Sequence, residues 1–259
     1  MRVSDITRAI EAFAPLAIQE NWDNSGLLIG SPLDEVKGVM IGFDCTSGLV
    51  DRALEAGCNM VITHHPLIFG GLKSIRPEDP VGKAVIKAVR GGVAVYAAHT
   101  TADKVIAGVS GEMARKIGLE NVSILDEEPG GTGLGVVGDL PAPMEPQALF
   151  ALLKERFSLK MLRVSKPVEG KVSRIALCGG SGSSLIGAAR AAGAQVYVSA
   201  DISYHHFFTP EGFMIADIGH FESEVAIVDI FFSELKKNFP NFAVCIDPEI
   251  KRSNPIQYI

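Results

Sequence analysis

GVMIGFDCTSGLVDRALEAGCNMVITHHPLIF, residues 38–69, reads as strand, helix, strand and then two histidines. The apolar run 36–43 has the length and character of a buried strand. Residues 49–56 carry apolar side chains at helical spacing, and Gly57 is placed to end that helix in a left-handed cap. Met60–Thr63 is a second apolar run of strand length, and His64 and His65 follow at once. Strands joined through a helix pair in parallel, so the segment predicts a βαβ unit. The pattern then repeats. Residues 82–90 look helical and stop at Gly91-Gly92, residues 93–98 form another strand, and His99 follows it. Ligands of such sheets bind beyond the carboxyl ends of the strands, which is where His64, His65 and His99 fall.

A second stretch has the same design. SRIALCGGSGSSLIGAARAAGAQVYVSADISY, residues 173–204, places Gly193 where the first has Gly57, a spacing of 136 (193 − 57). At that spacing Val39, Ile41, Leu49, Val50, Ala53, Ala56 and Thr63 match Ile175, Leu177, Leu185, Ile186, Ala189, Ala192 and Ser199, and His65 matches Asp201. The pattern predicts an α/β fold of two similar three-layer modules, although two βα units with an Ala-Gly helix end also look alike without common origin. Between them, residues 126–133 (DEEPGGTG) read as a loop or domain boundary. Residues 140–146 (LPAPMEP) read as a second turn-rich stretch before a helix over 147–157. A last helix is expected over 222–238, with Val225, Val228, Phe232 and Leu235 on its apolar face.

Composition sets outer bounds. The chain has 259 residues, 47% of them hydrophobic and 21% charged, as in an ordinary globular protein. Its formal net charge of −6, without any Lys/Arg run, gives no bias toward nucleic acid or an anionic membrane. The opening residues form an amphipathic helix with Ile6, Ile10 and Phe13 on one face, unlike a signal peptide. Cys45, Cys58, Cys178 and Cys245 are far apart and form no Cys-x-x-Cys pair, so free buried thiols are expected. Cytoplasm is the expected location.

The chemistry lies with the histidines. All six fall in four short segments: His64 and His65, His99, His205 and His206, and His220. Imidazole with nearby carboxylate suits zinc, iron, manganese or nickel. His220 and Glu224, four apart at a helix start, share a face. Together they can hold metal, or simply cap the helix and stabilise its dipole. His64 and His65 would point to opposite faces in a strand but can diverge at its end. Asp103 follows His99 by four residues. The 179–184 turn (GGSGSS) can present backbone N–H groups to phosphate or serve only close βα packing. NWDNSGLLIG, residues 21–30, has turn chemistry and the sole tryptophan, and spacing alone gives it no job.

Taken together, WDNSGLLIG, ITHHPLIF, the HTxxD segment, GGSGSS, the DIxYH segment, GHFESE and the closing NPIQYI resemble the GTP cyclohydrolase 1 type 2 homolog family, also called Nif-three-like. The resemblance runs over essentially the full chain, in the family's order. It implies two related α/β modules with a metal cleft between them, the second inserted in the first. The corresponding boundaries are 1–125 with 222–259, and 126–221. It also implies two divalent metal ions per chain and a ring-like homohexamer. Carried over residue by residue, His65 and Asp103 would serve one ion, His64 and His220 the other, and Glu224 would bridge. His99, Asp201 and His205 match polar positions of the family's cleft and are the candidate catalytic residues. One departure stands out: the family's His-Thr-Asn-Leu-Asp is His99-Thr100-Thr101-Ala102-Asp103 here, which shortens a side chain able to bond substrate.

The function this implies is a hydrolase acting on a nucleotide or related small molecule. Two ions ~3.5–4 Å apart would lower the pKa of a water for attack on carbon or phosphorus. His99 or His205 would relay protons. Other readings of the same ligands are a two-metal phosphoesterase, and a metallochaperone or regulatory protein without turnover.

Overall fold

The computed structural model describes residues 1–259. In chain order the first elements are α1 (Val3–Phe13), β1 (Gly26–Ile29), β2 (Val39–Ile41), α2 (Ser47–Glu55), β3 (Met60–Thr63), α3 (Pro80–Gly91), β4 (Ala94–Ala97) and α4 (Thr100–Asp103). Then come α5 (Val109–Ile117), β5 (Glu120–Glu128), β6 (Thr132–Met144), α6 (Pro146–Arg156), β7 (Arg163–Val164), β8 (Val172–Ser181), α7 (Ile186–Ala191) and β9 (Val196–Ala200). The chain closes with β10 (Met214–Asp217), α8 (His220–Glu224), α9 (Ile227–Asn238) and β11 (Val244–Ile246). Two compact units result, Met1–Ala102 with Ile227–Pro255, and Asp103–Ala226 with Ile256–Ile259.

The first unit is built on a sheet of order β1-β4-β3-β2-β11. β2, β3 and β4 pair in parallel as the βαβ pattern requires, β11 adds a parallel strand beside β2, and β1 lies antiparallel on β4. Met40, Val61 and Val95 face one way, into a core with Leu49, Val50 and Ala53 of α2 and Ala84, Val85 and Ala88 of α3. Alternate strand residues Val39, Ile41, Met60, Ile62 and Tyr96 are fully buried on the other face, where α9 packs on β2 and α1 on α9. Fully burying a side chain of this size contributes roughly 1.5–3 kcal/mol. The helices start and stop on local chemistry. Thr46 accepts the Leu49 N–H at 3.1 Å to cap α2, and Asp79 accepts from Val81 and Gly82 to cap α3.

The second unit carries a sheet of order β5-β6-β8-β9-β10-β7. Strands β8, β9 and β10 are parallel, while β5, β6 and β7 add antiparallel edges. Val137, Ala176, Tyr197 and Ile215 pack with Leu185 and Ala189 near α7, and α5 lies against β6 and β8 with α6 beside it. Both units are therefore three-layered α/β. The β2–α2–β3 and β8–α7–β9 segments are both parallel strand–helix–strand units. Gly57 and Gly193 share a φ of 74° in the same place.

Four expectations are resolved or corrected. Of the two readings of residues 126–133, loop or domain boundary, the structure supports the loop: they are the end of the β5–β6 hairpin, turning at 129–131, with Glu127 opposite Gly133. The units divide instead next to Ala102 and Ala226. Residues 140–144 belong to β6, which passes through a register shift between Asp139 and Met144. The expected helix over 222–238 is two helices, α8 and α9, broken at 225–226. The break resets the helical phase, so Phe231 is buried in place of Phe232.

Candidate metal centre

In the first unit the chain leaves β3 through a pinned turn. The Phe43 carbonyl accepts both the His64 and His65 N–H groups, at 3.2 and 3.3 Å. Thr63 Oγ1 donates to the His65 carbonyl at 2.9 Å. The two rings therefore do not take opposite faces. They lie 4.9 Å apart, His64 stacked on Phe43 at 5.8 Å and His65 edge-on to it at 4.7 Å. His99, just past β4, joins them at 5.2 and 5.3 Å between centroids. Ring nitrogens of His64, His65 and His99 fall within 4.8 Å of one another, a group that could hold a metal ion.

The orientation of each ring is fixed from behind. His64 Nδ1 lies 3.0 Å from the Ala98 carbonyl, which can only accept, so Nδ1 carries the proton. His65 Nδ1 meets Asp44 at 2.7 Å, and His99 Nδ1 meets Asp23 at 2.8 Å. In the neutral ring, a proton on Nδ1 leaves the lone pair on Nε2. This backing by carbonyl or carboxylate is the arrangement that metal-ligating histidines use.

Asp23 is the most heavily engaged of these supports. Its side chain has 0% exposure. It accepts from His99, Thr100 N and Oγ1, Ser25 Oγ and Asn24 N. Burial alone would raise its pKa. The hydrogen bonds from His99, Thr100 and Ser25, with the charge of His99, outweigh burial and hold the carboxyl well below the usual range.

In the second unit, His220 and Glu224 stand one turn apart on α8. His220 Nε2 is 3.0 Å from Glu224 Oε2, and its Nδ1 meets Asp201 at 2.8 Å. Asp201 adopts a left-handed φ of 53° directly after β9. Glu224 is 3% exposed. Asp103, the last residue of α4, sits close enough to act on the same thiol as Glu224. Burial first, then Asp103, and more weakly Glu224, push the Cys178 thiol up to about 12.

The start of the glycine turn packs tightly against these residues. A Cβ on Gly180 would collide with Glu224 Oε1, and one on Gly179 with Val109. Gly180 N–H is taken by Ser223 Oγ at 2.9 Å and its carbonyl by Ser199 Oγ at 3.0 Å. His205 lies on an exposed turn, edge-on to Tyr204 at 5.4 Å. Sequence reading missed Asp23 and Asp44, since neither adjoins the histidine it holds.

Comparison with known proteins agrees with this architecture. The model of the family described as Duf34/NIF3 (NGG1p interacting factor 3) matches residues 1–254. A Clostridium acetobutylicum protein named GTP cyclohydrolase 1 type 2 homolog is 32% identical over 91% of this chain and 90% of its own. One of the same name from Streptococcus pneumoniae is 30% identical over 100% of both chains. A crystal structure of a Staphylococcus aureus hypothetical protein superposes with a TM-score of 0.91 at 27% identity, covering 100% of this chain and 99% of that one. Histidines at strand ends, a two-sheet α/β fold and a match across nearly every residue lead to one conclusion: the chain belongs to the Duf34/NIF3 family.

Proposed function

We propose that the chain is a divalent-metal-dependent hydrolase holding two ions and acting on a nucleotide or related small molecule. His65 and Asp103 hold one ion, His64 and His220 the other, and Glu224 reaches both. The observation that carries this reading is the Nδ1 pattern. His64 and His65 each have that nitrogen set on a carbonyl or carboxylate oxygen, which leaves the Nε2 lone pair for a ligand, and His220 is held by Asp201 at Nδ1 with its Nε2 beside Glu224. Imidazole with carboxylate suits zinc, iron, manganese or nickel. When bound, the ions supply Lewis acidity and make water a stronger acid.

The remaining residues handle protons and orientation. His99, set on Asp23 through Nδ1, leaves Nε2 to pass protons to and from a ligand. Asp201 is a positioning residue that fixes the tautomer of His220. His205 is a second proton carrier at an exposed position. The curated relatives' name, GTP cyclohydrolase 1 type 2 homolog, makes GTP the first substrate to try.

A cytoplasmic homohexamer completes the proposal. The structure has no helix long and apolar enough to cross a membrane. Light scattering should return a mass near six times 27.6 kDa, and a monomer at micromolar concentration would refute the assembly. The decisive experiment pairs elemental analysis of protein purified without chelator with nucleotide turnover on the same sample. Two divalent ions per chain, with turnover lost on chelation and restored by metal, is expected. Turnover undiminished in metal-free folded protein overturns the proposal. Two ions without turnover of any nucleotide favours a metal-carrier role.

A further inference from the structure

We propose that Trp22 and Phe69 form a stacking subsite for the flat heteroaromatic ring of a small-molecule ligand. Large aromatic side chains are normally among the most buried groups. Trp22 is 58% exposed and Phe69 51%. Their rings lie 5.8 Å apart and are tilted by 32°. Each also stands edge-on to His99, at 5.8 and 5.7 Å between centroids. Two solvent-facing π surfaces thus flank the imidazole given the proton-carrying role.

The backbone behind them is held firmly. Asp23, next to Trp22, has a side chain with 0% exposure and anchors His99 and Thr100. Asn24 Nδ2 donates to the Ile68 carbonyl at 2.6 Å. That bond ties the residue two past Trp22 to the residue just before Phe69. The rings are therefore displayed from a fixed frame, which lowers the ordering cost of binding. The polar groups beside them are already spent: Asp23 and Asn24 bond within the protein. Recognition here rests on the face of a ring, not on its edge, so it tolerates changes of base. Stacking on aromatic side chains behaves this way because every base has a π face. The inference rests on the hydrolase reading only for the choice of a nucleotide as probe.

Trp22 is the only tryptophan of the chain, so fluorescence excited selectively at tryptophan, beyond the tyrosine absorption band, reports on this subsite alone. The full-length, metal-containing protein is titrated with GMP, AMP and ribose 5-phosphate. GMP and AMP should quench saturably, with affinities within about threefold of each other, and ribose 5-phosphate should not quench. By calorimetry, Trp22→Leu should weaken GMP binding roughly tenfold, whereas Trp22→Phe stays within about threefold of the parent. Absence of quenching, equal quenching by ribose 5-phosphate, or parental affinity in Trp22→Leu overturns the subsite. So does an emission that is blue-shifted and shielded from iodide in the protein alone, because a second copy would then cover the rings. Base-dependent quenching without any turnover sustains the subsite and refutes the hydrolase. Turnover with an unchanged KM in Trp22→Leu does the reverse.

Discussion

Replacing Gly180 with alanine tests whether the glycine turn exists to admit Glu224. Gly180 has a φ of +59°, a left-handed conformation that costs an L residue roughly 1–2 kcal/mol. The added methyl would also occupy the position of Glu224 Oε1, with His220 Cε1 only 3.3 Å away. The backbone cannot yield easily, because Ser223 and Ser199 grip Gly180 N–H and carbonyl. Glu224 is 3% exposed, so its carboxylate must leave its place beside His220. Overpacking adds roughly 1–3 kcal/mol to the conformational cost. Together these should lower the Tm of the metal-free protein by roughly 4–20 °C, at about 2–4 °C per kcal/mol for a chain of this size. Metal affinity, measured by competition with a chelator, should fall at least about tenfold, the lower end of what loss of a supporting group costs a metal site. Gly187→Ala is the control. Its Cβ meets nothing within 4 Å, and alanine inside α7 should stabilise by about 0.5–1 kcal/mol. Gly180→Ala protein that binds metal as tightly as the parent would refute the link between turn and carboxylate.

Glu224→Ala should weaken both ions while His65→Ala spares one, read as metal stoichiometry with circular dichroism as the folding control. Two tightly held ions in Glu224→Ala would remove the bridging role. Asp44→Ala should cost the His65 ion about 10–100-fold in affinity, and an unchanged affinity would mean that the Asp44 contact does not orient His65. Asp23→Asn should destabilise most at neutral pH. The Asp23 pKa is depressed on folding, so its contribution is complete above the unfolded value near ~3.9. It is lost as pH falls through the folded value, by about 1.4 kcal/mol per pH unit. Denaturant midpoints from pH 7 down to pH 3 should show the parent–variant gap closing in acid, and a constant gap would refute this.

The parts of the fold that local pattern controls were legible. β3 begins and ends where its apolar run does, and Gly57 and Gly92 end helices with φ of 74° and 62°, as their place after an apolar stripe implies. What local pattern could not decide was read less well. Gly, Pro and acidic residues look the same in a hairpin turn as in a linker, so sequence alone leaves the β5–β6 turn open between loop and boundary. The helix over 222–238 kept its polarity in the reading but lost its phase, because a break at 225–226 leaves no Gly or Pro behind it. Cys58 and Cys245 are free, as expected, and far apart in sequence, yet their sulfurs lie 3.9 Å apart, since pairing of β11 with β2 is set by tertiary structure alone.

The same division runs through the candidate site. His64, His65 and His99 could be found because a parallel sheet sends the ends of neighbouring strands to one edge, whatever the loops do. The carboxylates behind them obey two different rules. Asp44 lies three residues past β2 and Asp201 one past β9, so a search for acids beyond strand ends, extended from the ligands to their supports, reaches both. Asp23 lies before β1, and 76 residues separate it from His99. No spacing connects them, and only the antiparallel docking of β1 on β4 brings the loop ahead of β1 to the end of β4. A candidate metal ligand can therefore be read from where its strand stops, but the group that sets its tautomer is legible only when it leaves the sheet by the same edge and in the same direction.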